Sequence, residues 1–173
     1  MSESASTTGH RAAAASRTAR CAVIIVSDSR TAETDESGPL ARRLIEAAGH
    51  RVVVQALLPN DQARLQDEVA SLIARDDVDV ILLSGGTGLS ARDCTVEAVT
   101  PLLEKELRGF GELFRWVSFQ EQIGTAAMLT RAVAGVARGR LIVSLPGSTA
   151  AVELALTRLL LPELPHLLRE IGR

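Results

Sequence analysis

Aromatic residues are scarce: three Phe, one Trp and no Tyr make up 2% of the 173 residues. Binding of single-stranded nucleic acid relies on aromatic platforms for base stacking, so this scarcity argues against that class. It also leaves the core to Val, Leu, Ile and Ala. Cysteine is limited to Cys21 and Cys94, too few for a disulfide framework or a metal-ligand cluster. Free thiols fit a reducing compartment, and the expected location is cytoplasmic. No charge predominates: 19 Lys and Arg face 21 Asp and Glu, a net charge of −2, so no broad pull on nucleic acid is expected. No apolar run approaches the roughly 20 residues of a membrane span, and no membrane association is expected. His10, His50 and His166 all fall outside the polar loops described below. A Cys–His or Ser–His hydrolytic constellation therefore has little support.

What the chain does have is alternation of short apolar runs with amphipathic segments. The length suggests one domain. Residues 1–20, rich in Ala, Ser, Thr and Arg, read as a disordered tail, and residues 21–173 as one α/β domain. Strands are predicted over residues 21–27, 51–58, 78–83 and 141–145. Helical stripes run through Leu40, Leu44 and Ile45, through Leu65, Val69, Leu72 and Ile73, and through Val152, Ala155, Leu156 and Leu159. A helix is also predicted over 96–107 with a boundary or kink at Pro101, a break at Gly109-Phe110-Gly111, and helices over 112–119 and 125–133. Pro162 and Pro165 punctuate a C-terminal helical segment. Strands alternating with helices imply right-handed crossovers on a mostly parallel sheet with helices on both faces, a three-layer α/β fold.

In such sheets ligands bind at the carboxyl ends of the strands. The unusual loops all fall there: Ser27-Asp28-Ser29-Arg30, Pro59-Asn60-Asp61, Ser84-Gly85-Gly86-Thr87-Gly88 leading to Asp93, and Pro146-Gly147-Ser148. Glycines allow close backbone approach to an anion or heterocycle. The cluster lacks the Lys-Ser or Lys-Thr of a Walker loop and the spacing of a dinucleotide fingerprint. Asp61 and Asp93 each follow a strand. They suit either of two roles: a Mg²⁺ shared with substrate phosphates, or helix caps. Ser148 can cap the helix that follows it. Cys94 reads as a buried or half-buried filler.

These loops resemble those of molybdopterin adenylyltransferases of the MogA/MoaB type. The resemblance spans about residues 20–170. It is carried by Ser27-Asp28-Ser29-Arg30, Asp35-Glu36-Ser37-Gly38-Pro39, Ser84 to Gly88, Arg92-Asp93-Cys94-Thr95 with Glu97, Gly109 to Arg115, and Leu145-Pro146-Gly147-Ser148. It implies a trimer or hexamer and transfer of AMP from Mg-ATP to the terminal phosphate of molybdopterin. It also implies handover to a molybdenum insertase. Asp93 and Asp61 match acids linked to Mg²⁺ and catalysis. Ser27, Asp28, Ser84, Gly85, Gly86, Thr87, Gly88, Pro146, Gly147 and Ser148 match ligand-binding loops. The chain departs from the common pattern at Asn60, Ala91, Cys94 and Val96. A non-catalytic pterin carrier and a structural oligomerisation module are the rival readings.

Overall fold

The computed structural model describes residues 18–172. Residues 1–17 of the expected tail lie outside the described residues. The first strand starts one residue earlier than predicted, at Arg20, and Ala19 before it is buried. Arg20 is tied there by its ion pair with Asp79 at 2.9 Å.

Strand β1 (Arg20–Val26) is nearly all buried, and its side chains alternate between two cores. Cys21, Val23 and Ile25 face one, and Ala22, Ile24 and Val26 the other. A continuous apolar strand of this kind must be covered on both faces. On the first face lie helices α1 (Ser37–Ala47), α4 (Arg108–Ser118), α5 (Thr149–Leu154) and α6 (Leu161–Ile171). They contribute Ala41, Ile45, Phe110, Phe114, Val152 and Leu164 to that core. On the second lie α2 (Gln62–Ile73) and α3 (Thr95–Val99), which contribute Leu65, Val69, Leu72, Ala98 and Val99. The three layers are thus formed as the hydrophobic patterning predicts.

The remaining strands are β2 (Arg51–Leu58), β3 (Val80–Ser84), β4 (Lys105–Glu106), β5 (Val133–Ala137) and β6 (Arg140–Leu145). The six-stranded sheet runs β2-β1-β3-β6-β5-β4. Pairings among β2, β1, β3 and β6 are parallel, whereas β5 and β4 join antiparallel. From β1 the chain goes to β2 on one side and then returns to β3 on the other. The carboxyl ends of β1 and β3 therefore flank the point where the strand order reverses, which is where open α/β sheets bind ligands.

The antiparallel edge corrects three predictions. The helix predicted over 96–107 lasts only through α3. Pro101 then sits in a 3₁₀ turn, Thr100–Leu102, and the chain becomes extended at β4. A proline ring clashes with the preceding helical turn, which accounts for the early stop. Gly109 and Gly111 break nothing and lie within α4. A Cβ at Gly111 would lie 2.6 Å from the Ala132 carbonyl oxygen, so glycine there serves close packing. The helix predicted over 125–133 is a 3₁₀ segment, Gly124–Leu129, followed by β5. The Val-Ala-Gly-Val-Ala composition of β5 carries no strong period. At Gly135 a Cβ would come within 2.5 Å of the Lys105 carbonyl oxygen, so the strand pairing itself selects the small residue.

Candidate functional site

Four strand-end loops meet at the point of reversal. After β3, Gly85 adopts a φ of +113°, a region open to glycine but not to L side chains. Its N–H donates to the Leu145 carbonyl at 2.9 Å, and a Cβ there would run into the Val26 carbonyl. Thr95, at the start of α3, holds both glycine carbonyls. Its Oγ1 donates to Gly85 O at 2.8 Å and its N–H to Gly86 O at 3.0 Å. Ser84 is buried beneath and donates to the Pro146 carbonyl at 3.2 Å. Gly147 packs against Gly85. Its carbonyl accepts from Arg30 Nη2 at 2.9 Å and Ser37 Oγ at 2.8 Å. The glycine turn, the Pro-Gly-Ser loop and the first polar loop are thereby one hydrogen-bonded unit.

Ser27 Oγ accepts the N–H groups of Ser29 and Arg30 at 3.3 and 3.1 Å, which shapes its own loop. Asp28 binds three loops together. Its carboxylate accepts from Arg92 Nε at 2.8 Å, from Asn60 N at 2.9 Å and from Asn60 Nδ2 at 3.2 Å. The Arg92 hydrogen bond, followed by those from Asn60, holds the Asp28 carboxyl below the usual carboxylate range.

Between these loops lies an open cleft of about 560 Å³. Ser27, Asp28, Gly85, Gly86, Thr87, Gly88, Asp93, Pro146 and Gly147 line it, joined by Arg30 and Asn60. Ile123, Ala126, Leu129 and Thr130 also line it; sequence reasoning missed them, placing the last three in a helix. The two acids make different local contacts. Asp61 is exposed and caps α2, with Oδ1 accepting the Arg64 N–H at 3.1 Å, and it is not among the cleft residues. Ser148 likewise caps α5, accepting the Ala151 N–H at 3.2 Å. Asp93 caps no helix: Cys94 holds the N-cap position of α3 and makes no side-chain cap bond. Asp93 Oδ2 instead accepts the Ser90 N–H at 3.0 Å while facing the cleft.

The Cys94 thiol is pushed up, first by burial and then by the charges of Glu97, Asp61, Asp28 and Asp93. Among the described residues no three or more His, Cys, Asp or Glu form a preformed metal cage. Mg²⁺ is typically held by one or two carboxylates, with water and substrate phosphates completing the shell. Asp93 in the cleft, with Asp61 one residue beyond the cleft-lining Asn60, is a donor set of that hard-oxygen kind. Sequence reasoning also missed Arg131, which donates to the backbone carbonyls of Thr87 and Asp93 and to the carboxylate of Glu97. Nothing in its local pattern marks it.

The family profile described as "Probable molybdopterin binding domain" matches residues 22–166. Molybdenum cofactor biosynthesis protein B of Halalkalibacterium halodurans is 52% identical over 157 residues, covering 91% of this chain and 92% of the relative. This chain belongs to the molybdenum cofactor biosynthesis protein B family. A crystal structure of a molybdenum cofactor biosynthesis protein B superposes with a TM-score of 0.88 at 46% identity, covering 91% of this chain and 98% of the other. The tungsten cofactor synthesizing protein MoaB of Pyrococcus furiosus superposes with a TM-score of 0.81 at 35% identity, covering 91% and 99%. The matched residues include every loop that lines the glycine cleft of this family member. No helix among the described residues is long and apolar enough to cross a membrane.

Proposed function

We propose that this chain transfers AMP from Mg-ATP to the terminal phosphate of molybdopterin. A phosphate oxygen of the pterin forms a bond to the α-phosphorus, the bond to the β-phosphate oxygen breaks, and pyrophosphate leaves. The observation that carries this reading is Asp93: a carboxylate with no capping role, facing a glycine-lined cleft at the reversal of strand order. Bringing two anionic substrates together needs charge stabilisation and alignment, not a side-chain nucleophile. Bound Mg²⁺ supplies screening of that charge. Asp93 and Asp61 are the residues that would hold it. The glycine turn permits close approach of phosphate to backbone, and the Asp28–Asn60–Arg92 network keeps the cleft walls in place. Leu113, Trp116, Phe119 and Met128, exposed together on and after α4, support assembly into a homotrimer or homohexamer. Handover of the adenylylated pterin to a molybdenum insertase and a cytoplasmic location complete the proposal.

One observation favours a second reading, a pterin carrier without catalysis. Asp61 is engaged as a cap, and the uncharged Asn60 lines the cleft in its stead. The test is incubation with ATP, Mg²⁺ and molybdopterin, followed by measurement of adenylylated pterin and pyrophosphate. Equal amounts of both products, formed over many turnovers, are expected. Pterin binding without product would establish the carrier, and binding of neither substrate would overturn both readings.

A further inference from the structure

Arg131 stands just before β5 and shows its face to the back of the glycine loop. Its Nε donates to the Thr87 carbonyl at 3.2 Å and its Nη2 to the Asp93 carbonyl at 3.4 Å. Both of its terminal nitrogens also meet the Glu97 carboxylate, with Nη2 to Oε2 at 3.3 Å and Nη1 paired with Oε1. Thr87 lies in the glycine turn, Asp93 lies six residues further on near the end of the loop, and Glu97 lies in the first turn of α3. One guanidinium therefore closes the loop and docks it on the helix that follows. The same ion pair holds the Glu97 carboxyl below its usual range.

We propose that Arg131 is a positioning residue that sets where the Asp93 carboxylate stands in the cleft. It is not one of the residues lining the glycine cleft, and its charge is already matched by Glu97. It therefore acts through the loop and not on the ligand. The buried Thr95 hydroxyl holds the loop at its start, on the Gly85 carbonyl, whereas Arg131 is the side chain that spans Thr87 to Asp93. Arg92 is 74% exposed in its pair with Asp28, and the Ser90–Asp93 bond stays within the loop. Arginine is required because its planar fork presents donors in several fixed directions, whereas lysine is a single mobile charge. Misplacing a catalytic group by about 1 Å lowers rate by about 10²-fold, so the effect should fall on turnover.

The catalytic arm of the test rests on the proposed adenylyl transfer; the loop arm does not. Wild type, Arg131→Lys, Arg131→Gln and Glu97→Gln are compared by hydrogen exchange over residues 86–94, by thermal midpoint, and by kcat and KM for ATP. Exchange in that window is expected to quicken at least about tenfold in Arg131→Gln, with flanking strands unchanged. Its kcat should fall by about 10²-fold while KM stays within about threefold. Arg131→Lys and Glu97→Gln should fall between Arg131→Gln and wild type. Unchanged loop exchange in Arg131→Gln overturns the proposal. So does a raised KM with intact kcat, which would make Arg131 a ligand contact, or faster exchange throughout the sheet, which would make it a general stabiliser. If wild type transfers no AMP, the adenylyltransferase reading fails, and the exchange data alone decide the role of Arg131.

Discussion

Thr95→Val replaces a hydroxyl with a methyl and leaves the side-chain shape nearly unchanged. Thr95 is fully buried, and its Oγ1 is 2.8 Å from the Gly85 carbonyl oxygen. The valine form removes that donor where water does not enter, so the cost follows the desolvated carbonyl: about 1–3 kcal/mol. The added methyl offsets part of this, up to about 0.8 kcal/mol for a fully buried carbon. Both residues are β-branched, so backbone preferences largely cancel. The net expectation is a loss of about 1–2 kcal/mol. For a chain of this size each kcal/mol moves the thermal midpoint by about 2–4 °C, so the midpoint should fall by about 2–8 °C. Urea unfolding at fixed protein concentration measures the loss, and an unchanged m-value shows that the unfolded state is unaffected. Thr95→Ser keeps the hydroxyl and should lose less than the valine form. A valine variant within about 0.3 kcal/mol of wild type, or a serine variant that loses more, would refute the hydrogen-bond argument.

Asp93→Asn should keep the fold, since an amide oxygen can still accept the Ser90 N–H, while adenylyl transfer drops by roughly 10²-fold or more; full activity in steady-state assays would remove the metal role. Gly85→Ala meets both a φ of +113° and the Val26 carbonyl, and should lose at least about 2 kcal/mol in denaturant titration. Gly139→Ala, at φ +77° with nothing within 4 Å of its new Cβ, should lose clearly less. His50 is pushed below its ordinary value of 6.5 by burial, and its Nδ1 accepts the Ala19 N–H at 3.2 Å. The unfolded chain therefore binds the proton more readily. The stabilisation is complete above about pH 6.5 and is lost as pH falls toward the lower folded value. Thermal midpoints measured from pH 7.5 down to pH 5 should fall more steeply in wild type than in His50→Asn.

The parallel half of the fold was legible because its signals are local. β1 and β3 are unbroken apolar runs, and the stripe through Leu65, Val69, Leu72 and Ile73 has helical spacing, with all four residues buried. The antiparallel edge was not legible. Lys105–Glu106 carries no strand pattern, and Gly135 makes sense only beside the Lys105 carbonyl. The same division holds at the site. The glycine turn and Asp93 stand out in the chain, because a strained turn followed by an acid is a local feature. The different fates of Asp61 and Asp93 were not legible, because capping depends on where a carboxylate points and not on its distance from a strand. Arg131 was hidden for another reason. Its partners Thr87 and Asp93 are 44 and 38 residues away along the chain, so only the folded sheet brings them together.

Trp116 is the single tryptophan, the chain has no tyrosine, and the indole is 60% exposed and stacked near Phe119 with ring centroids 6.4 Å apart. Intrinsic emission from this protein therefore comes from one indole on the outer side of α4, none of it from the sheet. In a single copy of the chain, urea would change that signal little as the core opens. Anything that covers the face around Leu113, Phe119 and Met128 would change it strongly. A fluorescence trace of this chain is thus a gauge of contact at that face. Its melting is better followed by circular dichroism or calorimetry.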